Sequence, residues 1–121
     1  MAENAEHQGL LEVAKAARAD RAVADQLQGA LETLHEKVPD DPIVATNLPK
    51  CVAFCRLLRQ LLQRLSPLVD AMERRDPIPG DFDPARAKPL IEEWRTSRVV
   101  FLEEYRKSKD YLEELALRIY R

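Results

Sequence analysis

Apolar residues fall on a heptad row through the middle of the chain. Cys51, Cys55, Leu58, Leu62, Leu65, Val69 and Met72 follow one another in alternating steps of four and three. That spacing keeps one face of an α-helix turned toward partner helices, as in a coiled coil. Phe54, Leu61 and Leu68 recur every seven residues beside the row and widen the stripe. Lys50, Arg56, Arg59, Gln60, Gln63 and Arg64 fall on the opposite side. A stripe this wide needs more than one other helix to cover it.

Two further rows have the same period. Leu10, Val13, Ala17, Asp20, Ala24, Leu27, Leu31, Leu34 and Val38 predict a helix over 3–38. Pro39 ends it, because the residue before a proline is pushed out of the α region. Ala87, Ile91, Trp94, Arg98, Phe101, Tyr105, Ser108, Leu112, Leu115 and Ile119 predict a helix over 84–120. Asp83 and Pro84 suit its cap and first position. The middle helix is expected over 48–75 with Asn47 as its cap. Pro67 falls inside that helix on its outer side. The row keeps its phase beyond it, so a kink rather than a break is expected. Pro- and Asp-rich links of about eight residues suit antiparallel neighbours. The expected fold is all-α: a single domain, 1–121, forming an antiparallel up-down-up three-helix bundle with long helices.

Composition leaves this picture in place and removes some functions. The formal charge is −2, so bulk charge draws the chain neither to nucleic acid nor to a membrane. The apolar stretch 51–72 is interrupted by Arg56, Arg59 and Arg64, which does not suit a membrane span. The first nine residues lack the basic start and apolar run of a signal peptide. Two cysteines four residues apart do not make a disulfide framework, and a reducing, cytoplasmic location is expected.

The informative positions are those where the apolar rows break. Asp20 interrupts the first row; Arg98 and Ser108 interrupt the third. In an up-down-up bundle the first and third helices run parallel, and Asp20 and Arg98 lie at nearly the same height. A buried or half-buried ion pair is expected there, against the alternative that Arg98 reaches out to solvent.

Three sets of residues are candidates for function. Cys51 and Cys55 share a helix face, and His35, at the end of the first helix, is expected at a similar height. Two thiols and an imidazole suit zinc or copper. Glu32 and His35 also make the Glu-x-x-His step of di-iron bundles, but it occurs only once. Cysteine on a core face is more often a small buried hydrophobe, so no metal and no cofactor is expected. Arg56, Arg59 and Arg64 form a basic set on a helix with six basic side chains against two acidic over 48–75, while the first helix to Glu36 carries three against seven. Packing of an acidic helix beside a basic one accounts for this; binding of a phosphate backbone is the alternative. Tyr111 and Tyr120 fall beside the third row, where aromatic rings with polar tips suit partner contacts.

No nucleophile–histidine–acid order, zinc-protease motif or phosphate loop is present. The expected function is therefore non-enzymatic. The chain reads as a small subunit, adaptor or assembly factor that contacts another protein or a second copy of itself. A nucleic-acid-binding accessory subunit using the arginines, and a metal-binding bundle using Cys51, Cys55 and His35, are the rival readings.

Overall fold

A computed structural model describes residues 2–120. It consists of three α-helices: α1 (Ala2–Lys37), α2 (Pro42–Arg74) and α3 (Pro84–Ile119), with no strand among the described residues. Helices of 36 residues are about 54 Å long at 1.5 Å per residue. They run up, down and up. α2 lies between α1 and α3 and packs extensively on both, while α1 and α3 touch each other only sparsely.

This central position decides which residues of α2 are buried. Phe54, Leu61 and Leu68, the row beside the heptad seam, are as deeply buried as the seam itself. Leu57 joins them. With a neighbour on each side, α2 buries an arc rather than a stripe. Met72, at the end of the seam, is partly exposed. In α1 the buried set is Leu10, Ala14, Ala17, Ala24, Leu31 and Leu34; in α3 it is Ala87, Ile91, Trp94, Leu112 and Leu115. The alanines of α1 bring its backbone close to α2. Cys51 Sγ lies 3.4 Å from the carbonyl of Ala24 and donates to it.

The second helix begins at Pro42, six residues earlier than the expected start at Leu48. Asp41, not Asn47, is its cap. Asp41 Oδ1 accepts from the backbone N–H groups of Ile43 and Val44, both at 3.0 Å. Pro42 takes the first position, where a missing N–H does no harm. This repeats the Asp83–Pro84 start of α3, whose Asp83 Oδ1 accepts from Ala85 N–H at 3.0 Å. Burial of Val44 secures the extra turn. Asn47 sits inside the helix, its side-chain N–H donating to the Ile43 carbonyl at 2.8 Å. The links are accordingly unequal: 38–41, then 75–83.

Pro49, Pro67 and Pro89 all lie within helices, and all are exposed. α2 continues unbroken through Pro67. It ends at Arg75, in the left-handed region at φ 57°, while the next N–H, of Asp76, returns to the Ala71 carbonyl at 2.8 Å. No helix among the described residues is long and apolar enough to cross a membrane.

Candidate interaction surface

Asp20 and Arg98 come together where α1 and α3 meet. Arg98 Nε donates to Asp20 Oδ2 at 2.7 Å, and the Trp94 indole N–H donates to the same oxygen at 3.0 Å. The Arg98 guanidinium lies 5.9 Å from the Trp94 ring centre. The Asp20 side chain is 13% exposed and that of Arg98 45%, so the pair is half-buried. Ser108, the other break in the third row, accepts a 3.3 Å hydrogen bond from Asn47. These polar breaks are used inside the chain.

His35 does not reach the cysteines. Cys51 is level with Ala24, and His35 lies eleven residues further along α1, about 16 Å away at the helical rise. The expected juxtaposition relied on α2 starting at Leu48. With the start at Pro42, Cys51 lies more than two turns into the helix. The described residues contain no group of three or more His, Cys, Asp or Glu side chains placed to share a metal ion. Burial, and then the neighbouring Cys55, push the Cys51 thiol up to about 12. Burial and nearby Asp25 likewise raise Cys55. Both shifts favour the thiol over the thiolate, the form that acts as nucleophile or metal ligand.

The three arginines fan out rather than forming one stripe. At 3.6 residues per turn, Arg59 and Arg64 lie roughly 140° apart around α2. Arg59 turns toward α1, 3.9 Å from Asp25, which also pairs with Arg21 at 3.5 Å. Arg64 borders a hollow with Asp81, Asp83 and Arg86 on the α3 side. Arg56, between them, is exposed. Two of the three thus face acidic groups of their own chain.

Tyr111 is 37% exposed, but its hydroxyl donates to Asp41 Oδ2 and fastens α3 over the start of α2. Burial tends to raise the Asp41 carboxyl. The Tyr111 hydroxyl and the Val44 and Ile43 N–H groups outweigh it and hold the carboxyl below its usual value of 3.8. Tyr120, 61% exposed at the end of α3, is the freer ring.

An apolar groove of about 380 Å³ lies elsewhere, between α2 and α3. Ala53 and Ser97 are too small to fill the space between the two helices. Phe54 and Phe101, stacked with centroids 4.5 Å apart and planes 16° from parallel, form one wall. Leu27 and Leu31 of α1 form part of the lining. A Lys50–Glu104 ion pair bridges the two helices at its edge. Val100 lines it and is 53% exposed; Val99 and Leu102, 66% and 45% exposed, do not line it. The polar part of the lining includes Ser97 and Glu93, one turn apart on α3, and Lys50.

Reading only the apolar rows misses this surface. Its signal in the sequence is Val100, an apolar residue lying off the third row. The chain matches no protein-family model, no curated protein and no solved structure.

Proposed function

We propose that the protein acts through protein–protein contacts, without catalysis, as a small subunit, adaptor or assembly factor. The observation that carries this reading is the solvent-facing apolar set on α3. Val99, Val100 and Leu102 contribute little to the bundle's own core, and Val100 opens onto the groove between α2 and α3. Exposed apolar side chains at the edge of an apolar groove are a common mark of an interaction site. The Lys50–Glu104 pair at the groove edge supplies a polar rim that favours some partners over others.

The test is a photo-crosslinking residue at Thr96, which lines the groove, compared with one at Gln26 on the exposed surface of α1. In the native host, the Thr96 probe should yield a discrete protein adduct that the Gln26 probe does not. Adding Val100→Asp should abolish it. Adducts of equal yield from both positions, or none from Thr96, would remove this reading.

A further inference from the structure

The face of α3 turned away from α2 carries a charge pattern of its own, centred on Val99. Four, seven and eleven residues before Val99 stand Arg95, Glu92 and Lys88. Four, seven and eleven residues after it stand Glu103, Arg106 and Asp110. Steps of four, seven and eleven return to one side of a helix, and all six side chains are exposed. At each distance from Val99 the two sides hold opposite charges. The sign order is plus, minus, plus up to Val99 and minus, plus, minus beyond it.

Such a sequence is complementary to itself when reversed. We propose that a second copy of this chain docks here, α3 against α3 in antiparallel orientation, with the two-fold axis passing beside Val99. Arg95 then meets Glu103 of the second copy, Glu92 meets Arg106 and Lys88 meets Asp110, each twice. Parallel in-register pairing sets like on like at all six positions and is disfavoured. Exposed ion pairs add little affinity, but their pattern selects orientation and register.

The apolar centre supplies the burial. Val99 and Leu102 are exposed in the single chain. Val23 of α1, 57% exposed, lies three residues beyond Asp20 and so level with Val99. It widens the patch. Among the described residues, Lys88, Glu92, Arg95, Arg106 and Asp110 have no opposite charge within 4 Å, so their charges are available. Glu103 has only an exposed contact with Lys107 at 4.0 Å. The strip from Lys88 to Asp110 is about 33 Å long and one helix wide. That places the interface at the small end of specific contacts, below about 1,200 Å² in total, and the dimer is correspondingly weak.

The inference rests on the protein-contact reading and adds to it the identity of one partner. Sedimentation of the full chain between about 5 and 500 µM tests it by mass action. The expected result is a rise from 13.9 kDa toward twice that mass. Glu92→Arg and Arg106→Glu should each weaken the dimer by about tenfold or more, and the double variant should return to within about threefold of the wild type. Under mild oxidation Val99→Cys should cross-link to itself. Lys88→Cys should not, but should cross-link when mixed with Asp110→Cys. A monomer throughout the range, a dimer indifferent to Glu92→Arg, or no recovery in the double variant overturns the proposal. A monomer that retains the Thr96 adduct removes this dimer alone and points to a different protein as the occupant. A monomer without that adduct removes both readings.

Discussion

Asp41 illustrates how much one side chain decides. One of its oxygens accepts from the first free N–H groups of α2, and the other accepts from Tyr111 of α3. The same carboxylate starts one helix and fastens another to it. Its lowered pKa gives the sign of the pH dependence. A carboxyl held below its unfolded value stabilises the fold above that value, and the contribution is lost as pH falls through the folded pKa. Tyr111→Phe should therefore lower the melting temperature at pH 7. Its deficit relative to the wild type should shrink as the pH is taken below 3.8, the ordinary value for this carboxyl. A deficit that stays constant down to acid-induced unfolding would mean that the ring's packing, not its hydroxyl, is what matters.

At the scale of the element, the interior prolines show how a helix absorbs a missing donor. Pro67 has no N–H to give to the carbonyl of Gln63, one turn earlier. The Ser66 hydroxyl donates to that carbonyl instead, at 3.0 Å. Proline in a helix interior is about 3 kcal/mol less favourable than alanine, so Pro67→Ala, at this exposed site, should raise stability by roughly 1–3 kcal/mol. Urea or thermal denaturation measures it, and a loss would mean that the backbone geometry set by Pro67 is needed for packing on α1 or α3. The three helices were legible in the sequence because period and phase survive such local defects. The start of α2 was misplaced because Pro49 looks like a first-turn proline, while Asp41 and Pro42 made the same cap pair already recognised at Asp83 and Pro84. Two consequences followed from that slip: the overlong first link and the misplaced His35. The groove was not legible, since it depends on how far α2 and α3 separate around Ala53 and Ser97. The outer face of α3 was written in the sequence, but an inward-facing row draws attention away from it.

For the whole molecule, the lone tryptophan reports on the sparse contact between α1 and α3. Trp94 is 5% exposed and shares Asp20 with Arg98. Asp20→Ala leaves both donors without their acceptor. It should cost about 2 kcal/mol, the scale of hydrogen bonds to a charged group, and shift Trp94 emission to the red. Asp20→Asn should cost less. A blue shift, or no change in either stability or emission, would show that α1 and α3 need no polar tie. The unequal service of the three helices bears also on how the chain is made. Synthesis delivers α1 and α2 first, and the short 38–41 turn lets them close on each other at once. Until α3 emerges, Leu57 and its neighbours on the far side of α2 stand bare. In crowded translation that bare flank is a landing place for the third helix of a neighbouring nascent chain, and the nine-residue tether 75–83 is long enough to permit such an exchange.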